Sequence, residues 1–306
     1  MSEIIDFRVT LPPREYSDPS GDGDERLSDR DYLANYNRIY TRERGGGSDA
    51  AAMVAAISEA GIDRAVLQAE WAAGDYRAMN DAVHRIVAGH PEVLTGYVTV
   101  NPAAGDNMAA VVEEEVRERG ATGVNLQPFS YRVMANDKRF YPLYSKCQEL
   151  GVPVTIHSSI NFSNDRSIAY GRPLVLDEIA CDFPDLKIVA NHGGWPWVNE
   201  LVAVAWKHAN VYIEIGAVAP RYIGTPGTGW ETLMHYGNTS LLSDRVLFAT
   251  DNMIPYQRAV SELQDLPLKD HVKEGWLGEN AARLLAQVED RLAAGGYPPG
   301  ARPNSV

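Results

Sequence analysis

The sequence predicts a (β/α)8 (TIM) barrel, an α/β fold built as a single domain with long loops at one end. Three observations carry this. The chain has 306 residues with a 45% hydrophobic share, enough for one large core of about 250 residues with some chain to spare. Eight short apolar, β-branched runs recur along it. Longer segments with helical spacing separate them, and no shift in composition marks a domain boundary.

The runs are 4–9 (IIDFRV), 64–69 (RAVLQA), 94–100 (LTGYVTV), 123–127 (GVNLQ), 153–157 (PVTIH), 187–191 (KIVAN), 211–215 (VYIEI) and 245–250 (RVLFAT). Near-continuous apolar runs suit strands buried on both faces, as in a parallel sheet. Helical patterns fill 48–60, 79–88, 109–119, 141–150, 174–182, 198–209, 231–236, 256–263 and 272–286. The first opens on a Ser-Asp cap, and several stop at a glycine. A doubly wound open sheet is the competing topology, but no GxGxxG follows the first strand. The barrel is assigned to residues 1–290, and 291–306 reads as a Gly/Pro-rich tail. Two long loops, 11–47 and 217–229, fall at the C-terminal face, where such barrels carry their sites.

Twenty-eight basic against 41 acidic residues give a net charge of −13. That balance points away from nucleic acid and from anionic membranes. No basic-then-apolar leader and no long apolar span is visible, so the expected compartment is the cytoplasm. Cys147 and Cys181 have no CxxC spacing, which excludes a disulfide framework and a Cys-rich zinc site. The expected partner is a small-molecule substrate.

Polar residues at the strand ends are the informative positions. Glu70, Gln127, His157, His192, Glu214 and Asp251 each end or follow a run. A barrel gathers such ends around one opening. Two imidazoles and three carboxylates there form a donor set suited to a first-row metal, with nitrogen and oxygen rather than sulfur ligands. One strand-end His is more often a hydrogen-bonded structural residue. Two on successive strands, with Asp251 on the last, favour a site. Glu70 and Glu214 also read as rim charges, and Gln127 as a substrate contact. His84, His90, His208, His235 and His271 lie in helical or connecting segments and read as surface residues. Trp195 and Trp197 in NHGGWPWVNE could wall an apolar pocket or pack their loop. Arg166, Arg221 and Tyr222 could clamp an anionic group or form surface ion pairs.

The segments IIDFRVT, PVTIHSS, IVANHGGWPWVNE, NVYIEIGAVAP, RVLFATDNMIP and LGENAARLL together resemble the amidohydrolase-related family over nearly the whole chain. This family of metal-dependent barrel enzymes includes aminocarboxymuconate-semialdehyde and resorcylate-type decarboxylases. The resemblance implies a divalent metal (zinc, manganese or iron), with His157 as a ligand. It also implies His192 as an acid/base or further ligand, Asp251 as a ligand or base, and a homodimer as the family habit.

The departure is at strand one. The family's HxH pair falls at positions 8 and 10, where this chain has Arg8 and Thr10. An arginine stays protonated and does not ligate a metal; Arg8 would repel one and could pair with Asp251. Three outcomes follow: a rearranged metal site from His157, His192, Asp251, Glu70, Glu214 and Asp6; Arg8 in place of the metal's charge; or a barrel that only binds. The first is favoured. The activity expected is hydrolysis or decarboxylation of a small organic acid, ester or lactone, with His192 as proton shuttle. The alternative, suggested by an atypical non-haem di-iron monooxygenase on the same fold, is oxygenation of an apolar substrate at two irons, with Glu70 and Glu214 as extra ligands.

Overall fold

In the computed structural model, residues 2–12, 49–70, 75–163 and 165–295 are described. Most of the 11–47 loop and the end of the tail lie outside them. Eight strands alternate with helices: β1 (Ile5–Thr10), α1 (Ala50–Glu59), β2 (Arg64–Gln68), α2 (Tyr76–Gly89), β3 (Leu94–Val98), α3 (Met108–Arg117), β4 (Gly123–Leu126), α4 (Tyr141–Leu150), β5 (Val154–His157), α5 (Val175–Asp182), β6 (Ile188–Asn191), α6 (Val198–Lys207), β7 (Val211–Glu214), α7 (Glu231–Gly237), β8 (Val246–Leu247), α8 (Tyr256–Gln264) and α9 (Asn280–Ala294). Neighbouring strands pair in parallel in chain order. The seam is closed by Phe7 N donating to Phe248 O at 2.9 Å and Asp251 N to Arg8 O at 2.8 Å. The predicted barrel is the observed one.

Local chemistry sets the element ends. Asp49, Asp75 and Asn107 each accept a backbone N–H of the helix that follows, satisfying donors that a helix start leaves open. Gly151 ends α4 at φ +75°, a conformation glycine adopts without a Cβ clash. The eighth run is strand only over Val246–Leu247. Beyond it the chain turns through Asp251 (φ 58°) and Asn252 (φ 54°). The last helix does not stop at 286. It runs on to Ala294, four residues past the expected barrel boundary, and joins a short helix (Asp270–Glu274) through a π-helical stretch, Gly275–Glu279. A Cβ on Gly278 would lie 1.7 Å from Glu3 O, so a glycine lets this stretch pass under the entry to β1.

Two apolar clusters build the core. The larger joins the outward faces of the strands to the surrounding helices. The smaller fills the barrel's inside with Ile5, Phe7, Val66, Tyr97, Val189, Tyr212, Leu247 and Ala249, and α9 adds Ala281, Leu284 and Leu285. Arg64 at the start of β2 pairs with Glu289 of α9 at 2.7 Å, so α9 caps the end of the barrel away from the mouth. Phe7 and Tyr97 meet edge to face at 5.9 Å.

Candidate active site at the barrel mouth

Side chains of a strand alternate faces, so residues two apart share one. Two positions beyond Val66, Gly123, Val189, Tyr212 and Ala249 stand Gln68, Asn125, Asn191, Glu214 and Asp251. The inside of the barrel therefore has a polar storey above the apolar one. In β1 the step is one residue, from Phe7 to Arg8, because the β1–β2 register slips between Asp6 and Val9. Such a bulge re-aims a side chain, and here it turns Arg8 inward.

Arg8 is fully buried. Its Nε donates to Asp251 Oδ1 at 2.8 Å, its Nη1 to Gln68 Oε1 at 2.6 Å and Asn125 Oδ1 at 3.4 Å, and its Nη2 to Glu70 Oε1. With its amide turned so that the oxygen faces the guanidinium, the orientation that satisfies both neighbours, Asn191 accepts from Arg8 Nη1 at 3.1 Å and donates to Glu214 Oε2 at 3.3 Å. Thr155 Oγ1 lies 2.9 Å from both Gln68 Oε1 and Asn125 Oδ1 and shares its one proton between them. Gln68, Asn125, Thr155 and Asn191 are site residues the sequence reading missed. Their signal is a polar residue at inward parity inside an otherwise apolar run.

The carboxylates divide by what holds them. Asp6 is buried and accepts from Arg8 N, Thr250 N and Thr250 Oγ1. It locks the β1–β8 seam and is not placed as a ligand. Burial raises its pKa to about 7 against those hydrogen bonds. Glu214 is buried, accepts from Gly216 N, and is pushed up to about 8 by burial. Glu70 has 21% of its side chain exposed; burial raises it to about 7 against the pull of Arg8. Burial also raises Asp251, again opposed by Arg8.

His157 and His192 face each other across the ends of β5 and β6 with ring centroids 4.9 Å apart. His157 Nε2 donates to Ser159 O at 3.2 Å, and its ring packs against Phe129 at 4.6 Å. His192 Nδ1 donates to Gly216 O at 3.2 Å, which fixes the neutral tautomer with its lone pair on Nε2. Burial, with the Arg8 charge added, lowers His192 to about 3, and His157 also falls well below its ordinary value. Both are neutral at pH 7. His192 and Asp251 carry φ of 63° and 58°, a conformation that costs a non-glycine residue roughly 1 kcal/mol or more and gathers at functional sites.

The other expected residues sit around this centre or away from it. Gln127 is buried at the end of β4, with Ser130 Oγ 3.4 Å from its Oε1. Trp195 is 38% exposed and donates to Thr228 O at 3.2 Å, tying the loop after β6 to the 217–229 segment; Trp197 is half-buried beside it. Arg166 is largely buried, 3.9 Å from Asp165. Arg221 does not clamp the mouth. It pairs with Glu262 of α8 at 2.5 Å and lies over the Tyr222 ring, which is 51% exposed. Nor are all the helical histidines on the surface. His84 and His208 are half-buried, each 2.6 Å from a carboxylate oxygen, of Glu115 and Asp177 respectively.

A divalent metal held by His157, His192, Asp251, Glu70 and Glu214 does not fit this arrangement. Asp251 and Glu70 give oxygens to Arg8, and Glu214 gives one to Gly216. Among the described residues, the group of three potential ligand atoms lying within 4.8 Å of one another is Asp177, Cys181 and His208 on the outer helices. There the Lys207 ammonium already bonds Asp177 at 2.6 Å. Two irons beside Arg8 would meet the same cation, so the di-iron arrangement fits no better. No helix among the described residues is long and apolar enough to cross a membrane.

Comparison with known proteins agrees with the barrel. Over 137 residues the chain is 30% identical to a 2-keto-4-carboxy-3-hexenedioate hydratase of Sphingobium sp. (strain NBRC 103272 / SYK-6); the match spans 39% of this chain and 40% of that protein. An uncharacterised TIM-barrel protein from Bordetella bronchiseptica superposes with a TM-score of 0.75 at 27% identity, covering 94% of this chain and 99% of the other. A dihydroxybenzoic acid decarboxylase from Polaromonas sp. JS666, solved with manganese and 2-nitroresorcinol, shares the fold with a TM-score of 0.65 at 18% identity, over 94% and 97% of the two chains. The amidohydrolase family model matches residues 6–287, and the chain belongs to the amidohydrolase family of enzymes.

Proposed function

We propose that this enzyme moves a proton to or from a small organic acid, as a lyase that decarboxylates or hydrates it. The observation that carries the reading is the pairing of Glu70 with Arg8. Glu70 is the most exposed of the carboxylates at the mouth, its direction is fixed by a buried guanidinium, and its proton affinity lies near neutrality. A group so tuned is the effective acid/base at pH 7. His192, held neutral far above its own pKa, is a weaker proton carrier than its sequence position suggests. Its Nε2 lone pair, with His157 opposite, orients water or a substrate hydroxyl instead.

In decarboxylation, carbon dioxide leaves with the C–C bond broken, and protonated Glu70 delivers H+ to the carbon that keeps the electron pair. In hydration, Glu70 protonates the alkene carbon while water, hydrogen-bonded to His192 Nε2, adds to its neighbour; the second proton of that water is released to solvent and Glu70 takes one back, which restores the acid. Asp251, immobilised by Arg8, stands beside the pair as a fixed hydrogen-bond acceptor. The hydratase relative and the decarboxylase with the same barrel support this class. The test is a panel of small aromatic and unsaturated carboxylic acids in D2O. Loss of CO2 or gain of water, with one deuterium on carbon, is expected. Turnover restricted to esters or lactones, with no deuterium on carbon, would replace this reading with hydrolysis.

A further inference from the structure

We propose that the Arg8 guanidinium is the resident cation of the mouth, seated where the family resemblance calls for a metal, and that the mouth accepts a divalent ion only once Arg8 is removed. The coordination around Arg8 marks this seat. Its donors meet oxygens from Gln68 at 2.6 Å, Asp251 at 2.8 Å, Asn191 at 3.1 Å and Asn125 at 3.4 Å, together with Glu70. These come from the ends of β2, β4, β6 and β8, the convergence of oxygens a hard cation collects. Glu214 adds a further carboxylate behind Asn191.

A guanidinium fills this seat without releasing its proton, and its planar fork matches oxygens spread over several strands. The bulge in β1 is what delivers it, so the replacement is built into the backbone. Because Arg8 is fully buried and its donors are taken up by the barrel, it is a positioning residue. It fixes Asp251 and Glu70 and does not touch substrate. The inference shares only the location of the mouth with the proposed lyase function; the deuterium experiment and the metal experiment fail independently.

The test is titration with Mn2+ followed by water-proton relaxation. It is run in a Cys181→Ser background so that the outer Asp177–Cys181–His208 group does not contribute a thiolate ligand. The parent shows no saturable enhancement from the mouth. Arg8→Gln removes the charge, leaves Asp251, Glu70 and Glu214 facing one space, and gains a saturable Mn2+ site that Asp251→Asn abolishes. Arg8→Lys restores a cation and stays free of Mn2+. Saturable binding in the parent that Asp251→Asn abolishes would overturn the proposal. So would an Arg8→Gln variant that folds and binds no more Mn2+ than its parent. If Arg8→Gln fails to fold, the parent and Arg8→Lys titrations still decide, since Mn2+ binding at the mouth in either contradicts a seat already filled.

Discussion

The barrel's inside holds two storeys one pleat apart, and they are stabilised in opposite ways. The lower one, with Phe7, Val66, Tyr97, Val189, Tyr212 and Leu247, is apolar and sealed by α9. Its apolar surfaces gain by leaving water, whatever their neighbour; the Tyr97 hydroxyl, buried with no hydrogen-bond partner among the described residues, is the exception. The upper one, with Arg8, Gln68, Asn125, Asn191, Glu214 and Asp251, is nearly as buried. There every group depends on a named partner, because a buried charge or amide left unpaired costs more than the pair returns. The lower storey tolerates a change of neighbour and the upper does not. The upper storey and its rim are also where proton affinities are moved toward neutral pH, in Glu214 and Glu70, so the barrel's fold is secured below and its chemistry is tuned above.

The largest effects come from breaking one storey at a time. Arg8→Met should cost about 3–5 kcal/mol, because it leaves Asp251 and Glu70 buried without their cation. Phe7→Ala should cost a similar 3–5 kcal/mol through a cavity. Urea unfolding distinguishes the causes. Adding Glu70→Gln and Asp251→Asn to Arg8→Met should recover part of the loss, whereas the same pair added to Phe7→Ala should make it worse. Equal behaviour of the two backgrounds would erase the distinction.

Glu70→Gln should lower kcat by ~10²–10⁴-fold, the usual contribution of a positioned acid/base, with the fold kept. A variant that melts early but retains kcat would move Glu70 out of the chemistry.

The pH dependence sharpens the contrast further. Glu214 rises from 4.5 to about 8 in the folded barrel. Its contribution to stability is therefore complete below pH 4.5 and is lost as pH climbs through 8, with a slope of at most about 1.4 kcal/mol per pH unit. Glu214→Gln should flatten that decline when unfolding is measured from pH 5 to 9, and Val66→Ala in the lower storey should leave it unchanged. His192 acts in the other direction. Its folded value of about 3 lies below the ordinary 6.5, so its contribution is present above 6.5 and fades as pH falls toward 3.

The smallest effect is expected outside both storeys. Arg221→Ala removes an ion pair with Glu262 on the outer helices and should change stability by no more than ~0.5 kcal/mol and kcat/KM not at all. A marked rise in KM would return Arg221 to the substrate.

The fold was legible because strands buried on both faces leave continuous apolar runs. The strand-end rule placed His157, His192 and Asp251 at one opening. The bulge between Asp6 and Val9 was not legible, since a register slip depends on backbone pairing and leaves no mark in the order of residues. Without it, parity from Phe7 would turn Arg8 away from the barrel's interior. Gln68 and Asn191 did leave a signal, a polar residue at inward parity, but they read as interruptions of apolar runs rather than as partners. For Arg221 and Tyr222 the sequence left clamp and surface ion pair open, because a loop's sequence does not say which way it faces; Arg221 forms the ion pair, with Glu262.

By the proposal made for Arg8, an arginine and not a metal supplies the positive charge at the mouth. The most direct test is the metal content of the purified Cys181→Ser protein by inductively coupled plasma mass spectrometry, after growth in medium supplemented with zinc, manganese and iron. Well under one equivalent of any divalent metal per chain is expected. One equivalent that survives gel filtration and disappears in Asp251→Asn would contradict it.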